Sequence, residues 1–274
     1  MARERGNGVV KRDTSLPDLG GQRVLITGAA GGIGQGISRR FAAAGAHVAV
    51  HYRSSKASAS ALVTELREAG VNAEAVHADL SAPGAAEKLI ALAVKKLGGL
   101  DGLVNNAGIQ PLATLSEMTR AEWDAVFATN LGAVFELSQA AAAAMGEGDE
   151  SRDASTNRWI THVASIEASR PAGAHGHYAA AKAGLVMHAR AAALELGEWG
   201  IRVNTVSPGL IDRPGLEAEW AEGVESWRAH APLGRMGTPE DIGNACVLLA
   251  SAGASFITGQ DLPVDGGMLV TPGW

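Results

Sequence analysis

Two side chains in this sequence stand at a spacing that can move a proton near neutral pH. Tyr178 and Lys182 lie four residues apart in the run Tyr178-Ala179-Ala180-Ala181-Lys182. On a helix, positions i and i+4 share one face, a turn apart. A free phenol, with a pKa of about 10, is a poor base at neutrality. An ammonium beside it favours the phenolate and is expected to draw that pKa down toward the working range. Such a pair suits general acid–base chemistry, giving a proton to an alkoxide or taking one from an alcohol. The same two residues also make an ordinary amphipathic-helix pair, so the reading depends on what else the chain places beside them.

A glycine-rich turn is the second chemical feature. The apolar run Val24-Leu25-Ile26 passes into Thr27-Gly28-Ala29-Ala30-Gly31-Gly32-Ile33-Gly34 and then into a helix-like stretch. A glycine turn between strand and helix lets a pyrophosphate approach the backbone and meet the free amides and positive dipole of the helix N-terminus. The spacing here, Gly28-x3-Gly32-x-Gly34, departs from the Gly-x-Gly-x-x-Gly fingerprint, and a ligand-free tight turn would have the same composition. The next apolar run ends in His51-Tyr52-Arg53-Ser54-Ser55. Folds that prefer NAD place an acid about 20 residues past the glycines to hold the ribose 2′-hydroxyl. No acid stands here. Arg53 can pair with a 2′-phosphate and stack on adenine, with Ser54 and Ser55 as further donors, so the expected cofactor is NADP(H).

Short apolar runs alternate with longer amphipathic ones around these features. Strands are predicted over 23–27, 47–52, 73–77, 102–105, 159–164, 201–206 and 261–264. Helices are predicted over 33–44, 58–69, 85–97, 120–145, 178–196 and 239–250. Largely apolar strands separated by helices indicate a parallel sheet covered on both faces. With the handedness of crossovers, that pattern predicts an α/β, doubly wound, Rossmann-type fold. No linker or repeat divides the chain, so residues 21–274 read as one domain after a polar N-terminal tail over 1–20. The acidic stretch 146–157 reads as an exposed loop.

Bulk properties narrow the class. The chain has 274 residues, 46% hydrophobic and 19% charged, the composition of a globular protein with a substantial core. A net charge of −6 offers no general attraction for nucleic acid or anionic membrane. No stretch approaches the ~18 apolar residues that span a bilayer, and the N-terminus lacks the apolar core of a secretory signal. A soluble, cytoplasmic protein is expected. The single cysteine, Cys246, reads as a small buried hydrophobe. No grouping of residues has a familiar metal-ligand spacing, so no metal is expected.

Thr27-Gly-x-x-x-Gly-Ile-Gly34, Asn105-Asn106-Ala107-Gly108, Asn130, Ser165, Tyr178-x-x-x-Lys182 and Ser207-Pro208-Gly209, in this order, resemble the short-chain dehydrogenase/reductase family across roughly residues 20 to 270. The resemblance implies an oxidoreductase with a catalytic tetrad of Asn130, Ser165, Tyr178 and Lys182. Tyr178 would be the acid/base, Ser165 the donor to the substrate oxygen, and Asn130 the holder of a water linking Lys182 to solvent. Lys182 would also hold the nicotinamide ribose. It further implies a cofactor site made by Gly28, Gly32, Ile33, Gly34 and Arg53 around the phosphates and by Asp79 and Leu80 at the adenine. Asn106, Ala107 and Gly108 would lie beside the adenosine ribose, and Pro208, Gly209 and Ile211 along the nicotinamide. Family members often carry threonine four residues past Gly209, where this chain has Arg213.

Gln110, Ile166, Glu167, Leu210 and Trp220 are candidates to line the substrate pocket. Glu167 suits a polar substrate and equally suits a surface position; His175 and His177 are assigned no chemistry. Leu216, Trp220, Val224 and Trp227 recur at helical spacing, as either an apolar lid or a core-facing stripe. The substrate is expected to be a small carbonyl compound or alcohol. The chain is similar to 3-oxoacyl-carrier-protein reductases, to glucose-dehydrogenase-like, sugar and polyol dehydrogenases using NAD or NADP, and to ketoreductases of secondary metabolism. A non-catalytic cofactor-binding scaffold is the alternative from another class. By resemblance, a homotetramer or homodimer is expected.

Overall fold

A computed structural model describes residues 11–146 and 157–272. The chain alternates strand and helix: β1 (Arg23–Ile26), α1 (Gly32–Ala43), β2 (His47–Tyr52), α2 (Lys56–Glu68), β3 (Ala73–His77), α3 (Ala85–Leu97) and β4 (Gly102–Asn105). Then follow α4 (Arg120–Phe127), α5 (Ala133–Gly146), β5 (Arg158–Val163), α6 (Gly176–Leu196) and β6 (Ile201–Pro208). The chain closes with α7 (Leu216–Glu219), α8 (Ala221–His230), α9 (Pro239–Ala250) and β7 (Asp261–Val264). The seven strands form one sheet in the order β3-β2-β1-β4-β5-β6-β7, every pair parallel. This is the expected doubly wound α/β domain. Strand order reverses between β1 and β4, and ligands of such sheets bind at the carboxyl ends of the strands flanking that point.

The pleat divides the core between the two faces. Val24 and Ile26 of β1, with Val48 and Val50 of β2, face α1, α2 and α9, where Phe41 stacks on Trp159 at 5.4 Å. Leu25 and Ala49 point the other way, into a second cluster with Leu89 and Ile90 of α3, Leu137 of α5 and Ala189 of α6. Strands buried on both faces need continuous apolar runs, which is why they were legible as such. Cys246 is fully buried in the first cluster, where burial pushes its thiol up to about 12; it packs as a small hydrophobe.

Three expectations are corrected. The helix expected over 120–145 is broken: a π-helical turn, Ala128–Gly132, separates α4 from α5. Residues 13–19, expected within a polar tail, pack on the domain through their two leucines. Leu19 is buried, its N–H donates to the Ala44 carbonyl at 2.9 Å, and Asp13 pairs with Arg40 at 2.9 Å. β6 runs past Val206 to Pro208 because its pairing with β7 continues to Pro208 opposite Val264. Of the acidic loop expected over 146–157, residues 147–156 lie outside the described residues. No described helix is long and apolar enough to cross a membrane.

Candidate active site

The glycine turn sits at the end of β1, held from two sides. Gly28 has φ +62°, a left-handed conformation that glycine adopts without strain. A Cβ on Gly34 would lie 2.3 Å from the Gly28 carbonyl oxygen, so the turn closes only over a hydrogen at that position. Asn106 Nδ2 donates to the Thr27 and Gly28 carbonyls at 2.9 and 3.2 Å, and Thr27 Oγ1 accepts the N–H groups of Asn106 and Ala107. Asn106 and Ala107 therefore brace the turn from β4.

His51 braces it from β2, a role the sequence does not signal. Its Nδ1 accepts the Gly28 N–H at 3.0 Å, which leaves Nε2–H to donate to the Ala78 carbonyl at 3.1 Å. The ring thus ties the turn to the end of β3, where Asp79 and Leu80 follow. Burial lowers its pKa, and the neutral ring is the form both hydrogen bonds require.

The fit to a dinucleotide is open where it must be. A Cβ on Gly32 would meet nothing within 4 Å. Helix α1 has no side-chain cap and no acid in its first turn, whereas α4 and α9 each close theirs with a threonine capping box. Its first-turn amides, those of Gly32, Ile33 and Gly34 among them, keep their positive end for an anion. Arg53 is exposed just past β2, and its charge reaches the exposed Asp79 carboxylate. The carboxylate lies below its ordinary range chiefly because Ser81 Oγ and N–H donate to it at 2.7 and 3.0 Å. The residues present fit a nicotinamide dinucleotide.

The tetrad residues converge where β4 and β5 end. Lys182, 4% exposed, donates from Nζ to the Val163 carbonyl at 2.7 Å, and Nζ lies 5.6 Å from the centroid of the Tyr178 ring. A Cβ on Gly108 would lie 3.0 Å from Asn130 Oδ1 and 3.8 Å from Lys182 Nζ, so these three share one small space. Asn130 sits in the π-helical turn, a device common at functional sites. It bonds Ile109 twice, accepting its N–H at 2.9 Å and donating to its carbonyl at 2.8 Å. An unbroken helix would carry that amide at a different angle. Ser165 accepts the Glu167 N–H at 3.1 Å and stands against the Tyr178 phenol.

One electrostatic expectation fails. Burial pushes the Tyr178 phenol up to about 12; the Ser165 hydrogen bond pulls it down, and the Glu167 carboxylate adds to the rise. Lys182 is not among the groups that shift it; its Nζ lies 5.6 Å from the ring centroid and donates to the Val163 carbonyl. Burial depresses the lysine itself to about 8.

The remaining candidates are placed as follows. Pro208 ends β6, Gly209 is covered by the Trp227 ring, and Ile211 bridges Gly237 and packs on the core. Arg213 forms an ion pair with Glu219 of α7. The 216–227 stripe splits: Leu216, Val224 and Trp227 close a small cluster with Leu210 and Met236, while Trp220 is 54% exposed over Gly223. Three of its four residues are thus core-facing, and Trp220 is not among them. Ile166 begins the single 3-10 turn after Ser165. Gln110 and Glu167 meet, at 2.9 Å, and His175 joins them, 2.9 Å from Glu167. Sequence reasoning missed His175, since nothing in the spacing of loop residues shows that the 169–175 loop folds back on Glu167. His177 is structural: its Nδ1 accepts the Tyr178 N–H at 3.0 Å. No metal-holding group of residues exists among the described residues.

A doubly wound sheet, a braced glycine turn and a Tyr-Lys pair with its lysine buried at the strand ends define a dinucleotide-binding oxidoreductase. Comparison with known proteins agrees. A family model described as enoyl-(acyl carrier protein) reductase matches residues 28–269. The 3beta-hydroxysteroid dehydrogenase 1 of Eggerthella lenta is 37% identical over 260 residues, 94% of this chain and 97% of that one. A short-chain type dehydrogenase/reductase from Mycobacterium marinum superposes with a TM-score of 0.81 at 35% identity, covering 93% of this chain and 97% of the other. A blue fluorescent protein from a metagenomic library, solved in complex with NADPH, gives 0.83 at 35% identity, covering 92% and 99%. The chain belongs to the short-chain dehydrogenase/reductase family.

Proposed function

We propose that this protein interconverts a ketone and a secondary alcohol by NADP(H)-dependent hydride transfer, with Tyr178 as the acid/base. The observation that carries the reading is the convergence of Ser165, Tyr178 and Lys182 in one partly closed space beside Gly108. The nicotinamide, when bound, supplies the hydride. Ser165 Oγ accepts the Glu167 N–H and stands against the Tyr178 phenol, so a substrate oxygen entering between them can take the serine proton, which stabilises charge developing there. With its phenol raised to about 12, Tyr178 is protonated at neutral pH and ready to give its proton to a nascent alkoxide. The protonated phenol serves the reduction step as its acid, and the reverse step needs the phenolate, so oxidation gains as pH rises. Lys182 and Asn130 position the phenol and the strand end around it. Retention of both Tyr178 and Lys182 speaks against a non-catalytic scaffold.

NADP(H) over NAD(H) rests on Arg53 at a position that carries no acid, and the NADPH held by the metagenomic relative is in keeping with it. Tyr178→Phe is expected to keep NADPH binding, followed by cofactor fluorescence, while losing ketone reduction about a thousandfold. Undiminished turnover would overturn the mechanism. Arg53→Ala is expected to weaken NADPH about tenfold or more and to leave NADH nearly unaffected, since a charged hydrogen-bonded pair contributes about 1.5–3 kcal/mol. Equal losses for both would remove the 2′-phosphate argument.

A homotetramer is part of the same proposal. Phe135, Met187 and Leu194 are exposed on α5 and α6, and Leu248, Phe256 and Leu262 beside the edge strand β7, giving two separate apolar areas that a second copy can cover.

A further inference from the structure

Three side chains crowd the Tyr178 end of the site without transferring a proton in the proposed reaction. Gln110 follows β4, Glu167 follows β5 and His175 precedes α6, yet they form one network. Gln110 Nε2 donates to Glu167 Oε1 at 2.9 Å, and His175 Nδ1 lies 2.9 Å from Glu167 Oε2 and 3.5 Å from Gln110 Nε2. The network is attached to the reacting groups. The rings of His175 and Tyr178 meet edge-on at 6.1 Å, and the Glu167 N–H binds Ser165 Oγ at 3.1 Å. The Glu167 and His175 side chains are each 15% exposed, so they are screened from bulk water but reachable from the mouth, where Gln110 is exposed.

Backbone geometry holds the network in place. Ala174, immediately before His175, has φ +60°, alone among described non-glycine residues in the left-handed region. Its carbonyl accepts the Ala113 N–H at 2.9 Å, tying the Gln110 loop to the His175 loop. A side chain at such a φ costs about 1–2 kcal/mol, and such strain gathers at binding sites.

The unused hydrogen-bonding capacity is mostly of one sign. A carboxylate only accepts, and each Glu167 oxygen keeps a lone pair after its single bond. Gln110 Oε1 is an acceptor without a partner among the described residues, and a His175 that donates from Nδ1 offers Nε2 as an acceptor. One Gln110 N–H is the only donor left over. An acceptor-rich, negatively charged cluster pairs with O–H donors and repels carboxylates and phosphates.

We propose that Gln110, Glu167 and His175 form a hydroxyl-recognition subsite that selects polyhydroxylated substrates, with a hydroxyl adjacent to the reacting carbon donating to Glu167. This rests on the proposed reaction. The alternative is a tie that only holds three loops together.

The ratio of kcat/KM for cis-1,2-cyclohexanediol to that for cyclohexanol, with NADP+ at one pH, separates the two. Both alcohols use the same Tyr178 and cofactor, so changes in proton transfer or in the amount of folded enzyme cancel in the ratio. The parent should prefer the diol, and Glu167→Gln should lower the ratio about tenfold, the difference between a charged and a neutral hydrogen bond. Gln110→Ala, at the exposed rim, should lower it about threefold and serves if Glu167→Gln fails to fold. Calorimetric titration of xylitol into the parent and both variants gives a readout independent of turnover. No diol preference in the parent, or the parent ratio in both variants, overturns the subsite while turnover of cyclohexanol keeps the reaction. Xylitol binding that weakens in the variants, with no alcohol oxidised, keeps the subsite and overturns the reaction.

Discussion

Lys182 carries an ammonium into a buried part of the site, and its titration is linked to folding. Burial depresses its pKa from 10.5 to about 8 in the folded chain. Between these values the unfolded chain binds the proton that the folded chain has released, so stability rises with pH through the window from about 8 to 10.5. Below it both states are charged and the whole desolvation cost applies, about 3 kcal/mol at 1.36 kcal/mol per pKa unit. Lys182→Met removes the charge at every pH. Its stability relative to the parent is therefore expected to be greatest at pH 7 and to fall by about 2 kcal/mol at pH 10, about 5 °C in Tm. Thermal melts of both proteins at the two pH values check this, and a relative stability that grows with pH would contradict it. Tolerating so unfavourable a charge fits a group kept for chemistry. Cys246, in the first core cluster, shows the contrast: there burial meets a group that needs no charge.

At the scale of elements, two departures from regularity build the site. The π-helical turn between α4 and α5 aims the Asn130 amide at Ile109, joining that helix to the end of β4. The turn between β1 and α1 closes over Gly34 and opens over Gly32, and the two glycines should respond differently to one added methyl. A Cβ on Gly34 would meet the Gly28 carbonyl at 2.3 Å, the Ala29 Cα at 2.7 Å and Asn106 Nδ2 at 2.9 Å, none of which is a flexible side-chain end. Gly34→Ala is expected to cost about 2–3 kcal/mol of stability and NADPH binding with it. Gly32→Ala meets only the space where phosphate is proposed to lie. It should lose NADPH affinity with Tm within about 2 °C of the parent. Similar Tm losses for the two would show that the turn serves packing alone.

The whole molecule presents two apolar areas on different elements, one on α5 and α6 and one at β7. The β7 edge is a strand end that a second copy can cover, and Phe256 beside it is fully exposed. Two independent self-complementary contacts generate a tetramer with two-fold axes. Phe256→Glu is expected to reduce the tetramer to a dimer, and Leu194→Glu, on the other area, to do the same through the other contact. Light scattering behind gel filtration reads both. A monomeric parent at about 10 μM would remove the proposal.

Fold and site were legible in the sequence to different depths. Apolar runs such as Val24-Leu25-Ile26 marked the strands, because a sheet buried on both faces leaves no place for polar residues along them. Tyr178 and Lys182 were legible because helical spacing is local, and the glycine turn because its close approaches tolerate few other side chains. What acts through distance was not. His51 braces the glycine turn across two strand ends, and His175 reaches Glu167 only because a strained loop returns it there. The broken helix at Asn130 depends on a bond to Ile109 in a distant loop. The Tyr178 pKa follows the same division. Its lysine neighbour could be read from four residues of spacing, whereas burial, Ser165 and Glu167 decide its direction. Local spacing determined the kind of chemistry. Only tertiary structure, which sets who is dry and who is near, decided the state of the groups that carry it and brought Gln110, Glu167 and His175 together beside them.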